Sequence, residues 1–338
     1  HHGFNSYYGL PYSNDMWPYH PENAKRKSPF PALPLIEGDK VIDAEVSPED
    51  QTHLTTNYTQ KAVQFIRGSK DKPFFLYLAH SMPHVPLYVG SKFQDRSAHG
   101  IYADVIEEID WSVGEVLKAL KDNGVDDNTL VIFTSDNGPW LNYGTHSGVA
   151  GALREGKGTV WEGGVRVPFI ARWPGRIPAG SEVKEPAMTI DVLPTIAGLI
   201  DAPLPNHRID GRDILPLLTA QPDAKNPHEA YYFYYKQNEL QAVMSHEWKL
   251  YVPHSYRTVI GQGRDDGKPV PYGQQKIEAP ELYNVATDIS EKHNVASTHP
   301  QVVAHLLMLA ESAREDLGDR LHDRHGTGTR EPASVKNL

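Results

Sequence analysis

Leu54, Tyr58, Ala62, Phe65 and Ile66 recur at helical spacing behind Ser47-Pro48-Glu49-Asp50, the first strong pattern along the chain. Ser47 is a good N-cap, Pro48 suits the first helical position and Asp50 stands where a capping carboxylate belongs. A helix is therefore predicted from Ser47 to about Arg67, closed by Gly68. Pro73-Phe74-Phe75-Leu76-Tyr77-Leu78-Ala79 is a continuous apolar run, the signature of a strand covered on both faces in a parallel or mixed sheet. A second helical stripe follows from Tyr102 to Leu120, ending at Asn123-Gly124, and leads to a second buried strand, Leu130 to Thr134. A Gly-rich loop from Gly138 to Gly164 then precedes a third strand, Pro168 to Arg172, and a helix near Asp191 to Leu199. The first forty residues, rich in Pro, Tyr and Asn, show no period and read as irregular surface chain.

This alternation predicts an α/β fold, a large mixed, mostly parallel sheet with helices on both faces. Near Pro222 the texture changes to short aromatic and β-rich segments: Ala230 to Tyr235, Gln241 to Met244, Trp248 to Val252 and Leu282 to Val285. With a final amphipathic helix from about Pro300 to Leu317, they predict a small C-terminal antiparallel sheet carrying one helix. The expected domains are 1–221 and 222–338.

Composition narrows the chemistry. A formal charge of −10 disfavours nucleic acid and anionic lipid as partners, so an anionic substrate would need a local cluster of Lys, Arg and His. The absence of cysteine removes disulfides, thiolate metal sites and a Cys nucleophile. No apolar run reaches the roughly 18 to 20 residues of a membrane span. The sequence opens without Met and without the apolar core of a signal peptide, which leads us to expect that it begins inside a longer gene product.

Ser135-Asp136-Asn137-Gly138 falls where a predicted strand ends, the edge at which α/β sheets bind ligands. Carboxylate and side-chain amide give two hard oxygen donors suited to Ca²⁺ or Mg²⁺, although Asp-Asn-Gly is equally good turn chemistry. Lys157, between Gly156 and Gly158, sits where backbone approaches closely and a cation can face an anionic oxygen, with Arg166 available to orient the loop. The spacing is not that of a P-loop, and the plain alternative is a solvated lysine. His84 lies past the first predicted strand and can donate to an anion or protonate a leaving oxygen; His146 is a weaker candidate. Each competes with the surface or packing roles expected among 17 histidines.

In combination these segments resemble the arylsulfatases. The resemblance rests on Gly3 to Asp15, Pro73 to Tyr77 with His84-Val85-Pro86, Thr134-Ser135-Asp136-Asn137-Gly138-Pro139, the run Gly156 to Pro168, and Glu281 to Val285 with Glu291 to Val295, in family order. It implies an alkaline phosphatase-like fold and hydrolysis of small sulfated esters or saccharides. In that family a formylglycine, made from a cysteine in a Cys/Ser-x-Pro-x-Arg motif, attacks sulfur while Ca²⁺ polarises the sulfate oxygens. Carried over, Asp136 and Asn137 match metal ligands, Lys157 the lysine on the sulfate and bridging oxygens, and His84 a sulfate-contacting histidine; His146 is added as a substrate contact. The family's first aspartate pair and its nucleophile motif would lie upstream of this chain, in which no Ser-x-Pro-x-Arg occurs. The resemblance further implies a periplasmic or secreted protein, and the gap leads us to expect an additional N-terminal segment or a homo-oligomer. A truncated paralogue hydrolysing phosphate or carboxylic esters with water, and a non-catalytic anion-binding remnant, are the competing readings.

Overall fold

The computed structural model describes residues 3–20 and 23–331, and the chain divides into two units. One comprises His1–Thr129, Trp140–Val149 and Val259–Pro271; the other comprises Leu130–Pro139, Ala150–Thr258 and Tyr272–Leu338.

In the first unit, β1 (Tyr8–Gly9), β2 (Leu35–Glu37) and β3 (Lys40–Asp43) form a small antiparallel sheet within the stretch expected to be irregular. The turn between β2 and β3 uses Gly38 at φ +59°, a conformation that suits glycine. Helix α1 (Pro48–Ser69) starts as its sequence dictates: Ser47 N donates to the Asp50 carboxylate at 2.8 Å, and Asp50 N donates back to the Ser47 hydroxyl at 3.2 Å. The helix passes through Gly68 for one more residue. Its apolar face packs Leu54 and Tyr58 with Trp17, Leu33, Leu35 and Val46. Its polar stripe meets α2 (Ile101–Asp122), where the Thr59 hydroxyl lies 2.6 Å from that of Ser112. Val105 and Ile109 of α2 close a second core with Met82, Val85, Leu87, Val89 and Phe93.

The second unit begins with β4 (Val131–Thr134), antiparallel to β5 (Phe169–Arg172), with the short helix α3 (Glu162–Val165) between them in sequence. Helices α4 (Val192–Leu199) and α5 (Leu215–Leu218) set Val192, Ile196 and Leu218 beside Leu130, Ile132 and Phe169. Strands β6 (Tyr231–Tyr235), β7 (Glu239–Ser245) and β8 (Trp248–Tyr251) form antiparallel neighbours. After the two-stranded pair β9 (His254–Val259) and β10 (Tyr272–Ile277), strand β11 (Glu281–Asn284) joins this sheet beside β8. Helix α6 (Pro300–Leu317) covers one face, where Leu240, Val243, Leu250 and Leu282 meet Leu306, Leu309 and Ala310. On the other face Ala242, Tyr251 and Tyr283 pack against Val160 and Trp161, so the small sheet seats the Gly-rich loop.

Among the described residues the α/β mixture is present, but the large, mostly parallel sheet is not. The sheets have two to four strands, and β1 to β3, β4 with β5, and β6 to β8 with β11 are antiparallel. Residues 73–79 belong to no strand ladder, and Phe75 and Tyr77 are 58% and 72% exposed. A continuous apolar run predicts burial on both faces only where neighbouring strands flank it, and the described residues supply none here. Among the described residues no helix is long and apolar enough to cross a membrane.

Candidate functional site

Asp136 and Asn137 follow β4 after Ser135, the first exposed and the second half-buried, so both oxygen-bearing side chains sit in the turn that leaves the end of a strand. The next residues tie this turn to the Lys157 loop. Gly138 N donates to Gly164 O at 3.0 Å, and Lys157 N donates to Pro139 O at 2.8 Å. Glycine is required for so close an approach: a Cβ on Gly138 would stand 1.8 Å from Gly163 O, and one on Gly163 would stand 2.1 Å from Glu155 O. Lys157 is thereby fixed at its backbone beside the turn that carries Asp136 and Asn137. Among the described residues no group of three or more His, Asp or Glu is arranged to hold a metal ion. The donor chemistry of Asp136 and Asn137 fits a hard cation such as Ca²⁺, as two of the six to eight oxygens it takes.

The histidines lie in the other unit. His84 Nδ1 is 2.7 Å from the carbonyl of Val85, which can only accept, so Nδ1 carries the proton and Nε2 is the nitrogen left for another partner. Its ring centroid is 5.4 Å from Trp140, itself 4.8 Å from Tyr143. His146 follows two residues after Gly144, whose backbone at φ +56° admits no side chain because a Cβ would lie 2.1 Å from Arg264 O. Thr145 N donates to the same Arg264 carbonyl at 3.0 Å, and Asn142 exchanges two hydrogen bonds with Val270. The segments around His146 and Arg264 are thus one paired loop. A Cβ on Gly267 would stand 3.1 Å from His146 Nδ1, so that imidazole rests on backbone.

The sulfatase family model matches residues 1–202, and a second, described as N-sulphoglucosamine sulphohydrolase, C-terminal, matches residues 156–315. The chain belongs to the sulfatase family. Human arylsulfatase A is 34% identical over 328 residues, which cover 91% of this chain and 64% of the relative. The N-acetylgalactosamine-6-O-sulfatase of Bacteroides thetaiotaomicron is 33% identical over 283 residues, 79% of this chain and 51% of the relative. Among solved structures, the PsFucS1 sulfatase from Pseudoalteromonas sp. superposes with a TM-score of 0.80 at 26% identity, over 92% of this chain and 65% of that one. The chain spans less than two thirds of the length of each.

In this sulfatase chain the support behind Lys157 is a buried ionic network that the sequence did not disclose. Lys249, fully buried on β8, donates from Nζ to Glu162 Oε1 at 2.6 Å and to Val160 O at 2.7 Å. Glu291, also fully buried, accepts from Glu162 N at 2.9 Å and from the Tyr251 hydroxyl. Burial pushes the Glu291 carboxyl up, against the opposing pull of Lys249. Arg154 stacks 3.6 Å over Trp161 and donates to Glu291 O at 3.0 Å and to the Tyr256 hydroxyl at 3.1 Å. Glu162 and Glu291 both fall in segments that carry the family resemblance, which was the one available signal. Lys249, inside an aromatic strand, gave none.

Proposed function

We propose that the Asp136–Asn137 turn and Lys157 form the metal-and-anion half of a sulfate-ester hydrolase site. The observation that carries this reading is the locking of the two segments: Lys157 N on Pro139 O, Gly138 N on Gly164 O, and glycines with no space for a Cβ. A loop that only displayed a solvated lysine would need none of this constraint. Asp136 and Asn137 would hold the cation, which when bound polarises sulfate oxygens. As the ester S–O bond breaks, negative charge grows on the departing oxygen, and the Lys157 ammonium supplies the compensating charge there. His84 and His146 are carried as substrate contacts on the family resemblance alone. The attacking group is not assigned, since the chain has no cysteine and no Ser-x-Pro-x-Arg run. Small sulfated esters or saccharides are the proposed substrates, in keeping with the sulfatases that the chain resembles.

The test is calorimetry and thermal shift with millimolar sulfate and Ca²⁺, with nitrophenyl sulfate turnover measured beside them. Ligand at ten times its Kd should add about 1.4 kcal/mol of stability. Lys157→Ala should abolish the sulfate response and Asp136→Ala the Ca²⁺ response. An unchanged sulfate response in Lys157→Ala, or an unchanged Ca²⁺ response in Asp136→Ala, refutes the corresponding assignment.

A further inference from the structure

Arg257, which no motif assigned, is bonded to the Lys157 backbone. It comes from β9, and its Nη2 donates to the Lys157 carbonyl at 2.6 Å. The guanidinium also packs against the next residue. A Cβ on Gly158 would fall 1.8 Å from Nη2, 2.1 Å from Cζ and 2.2 Å from Nε, three atoms of a single plane. Gly158 is at φ +89°, so its backbone and the guanidinium both exclude a side chain there. Tyr272 stacks on the guanidinium too, with its ring centroid 4.4 Å from Cζ. Nε is buried and has no hydrogen-bond acceptor among the described residues, so the group is held by this packing and by its bond to Lys157. The neighbouring Thr258 hydroxyl donates to Glu155 Oε1 at 2.8 Å, a second tie from the same strand to the same loop.

We propose that Arg257, packed against both Gly158 and Tyr272, is a positioning residue that fixes the backbone from which Lys157 reaches its anion. Contact with substrate by Arg257 itself is disfavoured, because its Nη2 is bonded to Lys157 O and its guanidinium packs against Gly158 and Tyr272. Lysine does not replace it: an ammonium reaches the carbonyl but has no planar group to pack against glycine and tyrosine. The anion role of Lys157 comes from the proposed function, and the test separates the two.

Reductive ¹³C-methylation of the 338-residue chain gives one NMR signal per lysine, and the Lys157 signal is identified by its loss in Lys157→Ala. In Arg257→Gln, without any anion, that signal should move toward the position of a free lysine and sharpen. In parallel, calorimetric sulfate affinity should fall about tenfold in Arg257→Gln and only partly recover in Arg257→Lys. Gly158→Ala, which displaces the guanidinium, should give the same loss, and the double variant should be no worse than either single one. A Lys157 signal unmoved in both Arg257→Gln and Arg257→Lys overturns the positioning role, as do additive losses in the double variant. If the signal moves but Lys157→Ala binds sulfate normally, positioning stands and the anion assignment of Lys157 fails.

Discussion

Lys249→Met removes the ammonium hydrogen-bonded to Glu162 while leaving its apolar surroundings filled. In the native chain the Lys249 Nζ lies 2.6 Å from Glu162 Oε1, 2.7 Å from Val160 O and 4.4 Å from the centre of the Phe233 ring. Methionine approximates the stem of lysine and still packs against Phe233, so the loss is chiefly electrostatic. Glu162 and Glu291 would then sit as two buried carboxylates on one backbone junction, where Glu291 accepts from Glu162 N. Removing one partner of a buried ion pair costs about 3 to 5 kcal/mol, a large share of the roughly 5 to 15 kcal/mol that holds a domain together. Urea unfolding followed by tryptophan fluorescence reports on this region, because Trp161 stacks on Tyr251 at 3.9 Å. Two features identify the cause. Adding Glu162→Gln should recover much of the loss, since it removes a buried carboxylate left with only the more distant Arg166 Nη1, 3.7 Å from its Oε2. The deficit should also shrink from pH 8 to pH 5, because the Glu291 carboxyl, already pushed up by burial, loses the lowering pull of Lys249 and takes up a proton more readily folded than unfolded. A loss below about 1 kcal/mol that does not vary with pH would refute the network as a source of stability.

Burial holds His80 down to about 4, with Nε2 3.1 Å from the Ser112 hydroxyl and Nδ1 without an acceptor. Between that value and the ordinary 6.5 the unfolded chain binds more protons, so stability falls as the pH is lowered, by about 2 kcal/mol from pH 7 to pH 5. His80→Asn should flatten the profile, and an unchanged slope in chemical denaturation would assign the acid sensitivity elsewhere. The unladdered segment 73–79, with Tyr77 72% exposed, should make the 338-residue chain self-associate with rising concentration in light scattering. Tyr77→Lys should reduce that association, whereas a monodisperse monomer across the concentration range would contradict it.

Helices were legible because their information is local. The capping box at Ser47 and the stripes of α1, α2 and α6 are written in residues three and four apart, and they placed each helix within a few residues. The β2–β3 hairpin was missed although Leu35-Ile36 and Val41-Ile42 flank Gly38-Asp39, because the surrounding prolines suggested irregular chain. Residues 73–79 show the opposite error. Their composition records what covers a strand, but pairing depends on chain far away, and no local pattern reveals whether it is present. The candidate site divides in the same way. Asp136, Asn137 and Lys157 were visible as chemistry at a strand end and in a Gly-rich loop, whereas Arg257 and Lys249 act across 100 and 87 residues of sequence.

That separation bears on how an acidic chain can present a cation. Lys157 lies in a loop whose backbone is bonded to Pro139 on one side and to Arg257 on the other, while Val160 and Trp161 are buried against the β6–β8 sheet. The face of that sheet away from the loop is filled by α6. The C-terminal sheet therefore acts as a rigid plate between an apolar core and the loop, with Lys249 and Glu291 satisfying the backbone of Val160 and Glu162 where the two meet. Ordering a lysine-bearing loop only when ligand arrives would be costly, since long side chains and glycines lose the most conformational freedom. In this arrangement folding has already met that cost. Substitutions in the sheet should thus alter anion affinity in proportion to how far they free the loop, even where they lie far from Lys157 in sequence.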